Sequence, residues 1–224
     1  MFAVLAAAFV TLGQWQARRA EEKTALTLQF EQAPSLPGLP PGPAAPRFSR
    51  VRLDGVFDAR RHILADNQVL NGRSGVHVLS PFSTSAGATI LVNRGWLPMA
   101  ADRRSLPAIA TPAGTIEIEG HLDRIPDPAR KLGADDVLAA DRWPQLMTYP
   151  DLDAIAVALA EELHAQVLML DADSPGGFEG RDWQPVRVSA DRHRAYALQW
   201  RALALLALAL WLLLGVRRAR LVNP

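Results

Sequence analysis

The chain has 224 residues, 49% of them hydrophobic, with 24 Lys and Arg against 23 Asp and Glu and a formal net charge of +1. That length suffices for one sizeable core, and the absence of cysteine excludes disulfides, thiolate metal sites and thioether-linked cofactors. The near-neutral total hides a division. Residues 24 to 190 hold 15 basic and 20 acidic side chains while the two ends hold 9 basic and 3 acidic, and so acidic a middle argues against a nucleic-acid surface.

The chain opens on an apolar run, Met1 to Leu12, broken only by Thr11 and extended by Gly13 and Trp15 toward Arg18 and Arg19. A cleaved signal peptide competes with an uncleaved first helix. The apolar run continues past Ala6 to Ala8 without a polar cleavage region, which favours the helix. Six prolines and two glycines between Pro34 and Pro46 block helix and favour an extended linker.

Short stretches with strand-type alternation follow: Phe48–Phe57, His62–Asp66, Val76–Phe82, Thr89–Asn93, Thr115–Leu122, Val167–Leu170 and Pro185–Val188. One helix is predicted over Leu152–His164, capped by Asp151 or Asp153, with an apolar stripe of Leu152, Ile155, Ala156, Leu159 and Leu163. Many short strands and one amphipathic helix point to a small barrel or sandwich. Tyr196–Val216 then gives 21 residues interrupted only by Gln199 and Arg201, long enough at ~1.5 Å per residue to cross ~30 Å of hydrocarbon. Arg217, Arg218 and Arg220 favour a cytoplasmic C-terminus, but Arg18, Arg19, Lys23, Arg187, Arg192 and Arg194 flank the other ends of the helices, so charge counting leaves the orientation open.

No nucleophile elbow, phosphate-binding loop, dinucleotide fingerprint or H-E-x-x-H is present, which lowers the case for a tethered hydrolase or nucleotide enzyme. Arg60-Arg61 and Arg103-Arg104 read as solvated pairs. Asp171 to Asp182 only faintly resembles a calcium loop, and a strand ending in a polar turn explains it better. His62, His77, His121 and His164 lack metal-ligand spacing. Arg94, in Val92-Asn93-Arg94-Gly95-Trp96, can hold an anionic group or pair with an internal carboxylate.

The richest stretch is His193-Arg-Ala-Tyr196-Ala-Leu-Gln199-Trp200 at the mouth of the C-terminal span. Helical spacing puts Tyr196 and Trp200 within ~60° of His193. Near the first helix Trp15, Arg19 and Lys23 recur every four residues with Gln16 beside them. The two stripes either line a shared pocket or form an interfacial belt of Trp, Tyr, His and Arg.

Leu12-Gly13-Gln14-Trp15-Gln16-Ala17-Arg18-Arg19 with Lys23 resembles the L-G-x-W-Q-x-x-R-x-x-x-K start of the Surfeit locus 1 family of cytochrome c oxidase assembly proteins, bacterial type. Asn71–Val78, Leu91–Pro98 and the H-x-x-Y-A-x-Q-W of His193–Trp200 extend the resemblance in order along the chain. Arg201 and His77 depart from it, standing where an aromatic residue and Tyr are frequent.

The resemblance implies a membrane protein of α+β class with two transmembrane helices flanking a β-rich extracytoplasmic domain. The organisation expected is 1–23 first helix and stalk, 24–46 linker, 47–190 periplasmic domain, 191–216 second span and 217–224 basic cytoplasmic tail, in the inner membrane. The family is not enzymatic. It serves maturation of the catalytic subunit of haem-copper oxidases, with haem a and its synthesis machinery as the implied cargo and partner, besides membrane lipid. Carried onto this chain, His193 becomes the metal ligand, with Tyr196, Gln199, Trp200, Trp15, Gln16, Arg19 and Arg94 around the cofactor and Arg194 as a further partner for propionates. The alternative is a haem-free scaffold that stabilises an oxidase assembly intermediate.

Overall fold

The computed structural model describes residues 1–41, 45–100, 105–125, 138–186 and 188–222. The Arg103-Arg104 pair, Pro43 and Arg187 lie outside the described residues. The chain forms two compact units, Gln32–Trp183 and the pair of segments Met1–Glu31 and Gln184–Pro224.

In chain order the elements are α1 (Phe2–Glu31), β1 (Ser35–Leu36), β2 (Arg50–Phe57), β3 (Ile63–Leu70), β4 (Arg73–Thr84), β5 (Thr89–Pro98), β6 (Ile116–Asp123), β7 (Gln145–Met147), α2 (Leu152–Leu159), β8 (Leu163–Leu170) and α3 (Ala190–Val222). The strands form one sheet in the order β1-β2-β6-β8-β5-β4-β3-β7, and a further β2–β4 pairing joins its middle strands into a five-stranded closed circuit, a β-barrel-like domain.

Strand β2 shows how sequence sets this closure. Val51, Leu53 and Phe57 point inward and alternate with exposed Arg50, Arg52 and Asp54. At Gly55 the strand pairs with Ile116 of β6 and Thr84 of β4 at once. A Cβ there would collide with the Ser83 carbonyl and the Phe82 ring, so only glycine lets one strand serve two neighbours. Strand β5 is buried continuously from Ile90 to Trp96, as a strand covered on both faces must be.

Two main apolar layers result, beside a smaller cluster of Leu64, Val76 and Val78. Phe57, Phe82, Ile90, Val92, Ile118, Leu122, Leu168 and Leu170 fill one, while Ile63, Leu79, Leu91, Met147 and Val167 pack beneath Ile155 and Leu159 of α2 in the other. Asp151 caps α2 by accepting from the Ala154 N–H. The helix ends five residues before the expected His164, because Ala160 turns left-handed (φ 54°) and Leu163 is already paired with Thr89. The Arg61 guanidinium donates to the Leu159 carbonyl at 3.1 Å, which places a cation at the helix's negative end.

Other expectations are corrected. Residues 24–31 continue α1 instead of starting a linker, and two residues of the proline-rich stretch, Ser35 and Leu36, pair in parallel with β2. The described residues around Pro185–Val188 are not strand. Strands β3, β4 and β5 outrun their expected limits because each pairs along most of its neighbour. Asp171–Asp173 forms the polar turn after β8, with Asp171 paired to Arg50.

Candidate functional site

The unit formed by both chain ends is an antiparallel pair of long helices held by small residues. On α1, Gly13 and Ala20 are buried and Ala6 and Thr27 half-buried in one seven-residue column; Phe2, Phe9, Gln16, Lys23 and Phe30 form a second, half-buried one. On α3, Ala190, Ala197 and Ala204 make one such column and His193, Trp200 and Ala207 the other. A seven-residue period with alanine and glycine at the contact lets two backbones approach closely along their length. A Cβ on Gly13 would lie 3.5 Å from the Ala197 carbonyl and from Trp200 and Arg201, which shows how near they come.

Beyond this seam α3 is exposed and apolar. Leu198, Leu205, Leu206, Leu212 and Leu213 are each more than half exposed, an arrangement unfavourable in water and favourable in lipid. Ala190–Arg218 is long and apolar enough to cross a membrane, its most apolar 18-residue window having a mean hydropathy of 1.9. The helix associates the chain with a membrane.

His193 lies on the seam itself. Its Nδ1 is 2.7 Å from the Gln16 amide oxygen, across the two helices. Trp200, one column position further along, stacks on Phe9 at 5.6 Å between ring centroids. The pair brings together Gln16, His193, Trp200 and Phe9. It leaves Trp15 (45% exposed), Tyr196 (46% exposed) and Gln199 on the outer surface, where side chains of this kind meet lipid headgroups or a bound amphiphile. Arg19 is exposed, paired with Glu22 at 2.8 Å and placed over the Trp15 ring at 5.9 Å. Arg194 donates to Asp191 at 2.8 Å and to the Thr24 hydroxyl at 3.0 Å.

Arg94, expected at an anionic group, is instead sealed inside the β unit with no exposure. Its guanidinium donates to the carbonyls of Gly176 and Ala110, both at 2.6 Å, and to the hydroxyls of Thr111 at 3.1 Å and Ser80 at 3.4 Å. The Phe57 and Phe178 rings each lie 4.7 Å from it. Among the described residues its partners are neutral, so the internal carboxylate of one reading is not found and the donors turn to internal carbonyls and hydroxyls. Burial pushes it down to about 10, still charged near neutrality. Ser80 accepts from Arg94, and its hydroxyl is also hydrogen-bonded to His62 Nδ1 at 2.8 Å. Burial and then the Arg94 charge lower the His62 pKa.

The other motif blocks are structural as well. Gly75 leaves space for the Trp96 indole and the Leu97 carbonyl, and Gly95, at φ 104°, lies close under the Glu179 carbonyl. The Asn93 side-chain oxygen accepts from the Gly95 N–H at 3.1 Å, and His77 stands edge-on to Trp183. A cleft of about 810 Å³ opens in the same unit beside Asp58, Arg60, Arg61, His62 and Trp143. None of the motif residues lines it. Among the described residues no group of three or more His, Asp or Glu could hold a metal ion.

Residue-by-residue spacing overlooked the Gln16–His193 bond. The signal was present in small residues seven apart, Ala6-Gly13-Ala20 and Ala190-Ala197-Ala204, which define two facing seams.

The model of the SURF1 family matches residues 3–205. A SURF1-like protein of Monosiga brevicollis is 27% identical over 248 aligned positions, covering 100% of this chain and 91% of that protein. Surfeit locus protein 1 of Mus musculus is 27% identical over 233 positions, 92% of this chain and 72% of the mouse protein. An uncharacterized SURF1-like protein of Mycobacterium bovis is 25% identical over 209 positions, 89% of this chain and 74% of its own length.

Proposed function

The chain belongs to the SURF1 family, and from that premise we propose that it is an assembly factor for haem-copper cytochrome c oxidase that carries haem a transiently between α1 and α3. The observation that carries the reading is the place of His193, on the contact seam of the helix pair at the polar end of the apolar helix. In this reading α1 is a second span, the β unit is periplasmic in a bacterial inner membrane, and the partners are the oxidase catalytic subunit and the haem a synthesis machinery.

The donor chemistry fits the cargo. His193 offers one imidazole nitrogen bonded to Gln16 and a second, Nε2, that carries no hydrogen bond among the described residues. A nitrogen of that kind takes an axial position on haem iron. Haem a supplies the oxidase with its redox-active iron once delivered. Phe9, Trp15, Tyr196 and Trp200 provide apolar and aromatic surface for a large macrocycle with a lipid-like tail, and Arg19 and Arg194 stand at the polar end where propionates belong. A single protein ligand suits a carrier, since the cargo must leave. The chain acts as a carrier and not as an enzyme.

One observation favours the second reading, a haem-free scaffold: a bonded Gln–His pair within a seam of small residues is also a device that fixes helix register. The two readings separate in one preparation. Full-length protein purified in detergent from cells making haem a is expected to contain stoichiometric haem, lost in His193→Ala with the fold retained. A folded wild type devoid of haem overturns the carrier and leaves the scaffold.

A further inference from the structure

Gln16 and His193 come from opposite ends of the chain, yet their side chains meet at 2.7 Å, Oε1 to Nδ1. An amide oxygen can only accept, so the proton between them belongs to Nδ1 of the imidazole. A neutral imidazole carries one proton, and placing it on Nδ1 leaves Nε2 with a bare lone pair. Free histidine favours the opposite tautomer. We infer that Gln16 is the positioning residue of the His193 site: it holds the ring in the Nδ1–H form, orients it, and so makes Nε2 the nitrogen that binds iron. The inference rests on the carrier reading above for the iron, and on geometry alone for the tautomer.

The chemistry follows from how axial histidines are tuned. A ligating imidazole whose other N–H donates to an oxygen acceptor is fixed in orientation and made a better electron donor. A carboxylate acceptor strengthens this push more than an amide, and an apolar neighbour removes it. Because donor and acceptor ride on different helices, separating α1 from α3 withdraws the acceptor and weakens the ligand. Tight holding and release then depend on the same helix contact. Register alone would be served by any pair that bonds across the seam. Positioning requires an acceptor opposite Nδ1.

The test uses full-length protein in detergent with 15N-labelled histidine, at a pH above 8, with the His193 signals assigned by their loss in His193→Ala. Long-range proton–nitrogen correlation is expected to show a protonated Nδ1 and a bare Nε2. Gln16→Leu should shift the ring toward the Nε2–H form, while Gln16→Glu should keep Nδ1–H. After loading with haem a, Gln16→Leu should weaken binding by about 10–100-fold, the usual cost of losing an outer partner. It should also lower the iron–histidine stretching frequency in the ferrous Raman spectrum, and Gln16→Glu should raise it. An Nε2–H tautomer in the wild type overturns the inference, as does a tautomer and stretching frequency unmoved in both variants. Should Gln16→Leu fail to fold, Gln16→Glu decides alone through the direction of the frequency shift. A wild type with the Nδ1–H tautomer that takes up no haem a overturns the carrier reading and with it the role of Gln16 at iron. Haem lost in His193→Ala but indifferent to Gln16 overturns only the inference made here.

Discussion

The motif residues of the β unit and those of the helix pair look equally conspicuous in the sequence but do opposite things. In the β unit Arg94 spends its N–H groups on internal carbonyls and hydroxyls, Asn93 turns back on Gly95, and Gly75 exists to admit Trp96. Four of the five guanidinium N–H groups are engaged inside the unit, and the Arg94 side chain has no exposure. On the helix pair His193 uses one nitrogen on Gln16 and keeps the other, while Trp15, Tyr196 and Gln199 stay at the surface. A motif residue points to a ligand when the fold leaves part of its bonding capacity unused. When that capacity is exhausted internally, the motif reports on folding.

The largest effect should come from breaking the β-unit side of this contrast. Arg94→Leu removes a charged, fully buried hydrogen-bonding hub and leaves two carbonyls and two hydroxyls without their donor, the Ser80 hydroxyl in a buried residue. The expected loss is about 3 kcal/mol or more, read as a lowered denaturant midpoint of the full chain in detergent. Retained stability would show that Arg94 is not the strut described. Gly95→Ala should cost somewhat less, about 2 kcal/mol, since it combines a left-handed backbone at φ 104° with a Cβ only 2.6 Å from the Glu179 carbonyl. Melting of that variant at the wild-type temperature would contradict it.

The smallest effect is a dependence on pH. Burial, and then Arg94, lower His62; burial also lowers His121, outweighing the opposing pull of Asp171 and Asp123. The unfolded chain therefore binds protons that the folded chain does not. Stability is full above the unfolded histidine value of about 6.5 and declines as pH falls through it toward the lower folded values. The decline should be shallower in His62→Asn, and an identical slope in that variant would remove His62 from the account.

How much of this was legible depended on whether local pattern or distant pairing decided the matter. The strict alternation of Val51, Leu53 and Phe57 announced β2, and Asp151 or Asp153 announced the start of α2, with the cap falling on Asp151. The end of α2 was hidden, because Ala160 carries no glycine to mark its left-handed turn and Leu163 becomes strand only by pairing with Thr89. Strand β7 depends on β3, far back along the chain, and the contact of Ser35 and Leu36 depends on Arg50 and Val51 beyond the proline-rich stretch, so neither shows in its own local pattern. At the site, His193, Trp200 and Gln16 could be named from spacing and resemblance. Arg94 was misassigned because an arginine beside a turn looks the same whether it faces solvent or four internal acceptors and two rings. Only the fold tells them apart.

In the carrier reading proposed above, the imidazole nitrogen that His193 leaves unbonded, and not Arg94, would bind the haem. Titrating haem a into the purified full-length protein, into His193→Ala and into Arg94→Lys, each first shown to be folded, tests this directly. The expected result is near-stoichiometric uptake by the wild type and by Arg94→Lys, with affinity lost at least about 100-fold in His193→Ala, as removal of a sole axial ligand requires. Equal affinity in the wild type and in His193→Ala, or a loss confined to Arg94→Lys, would contradict it.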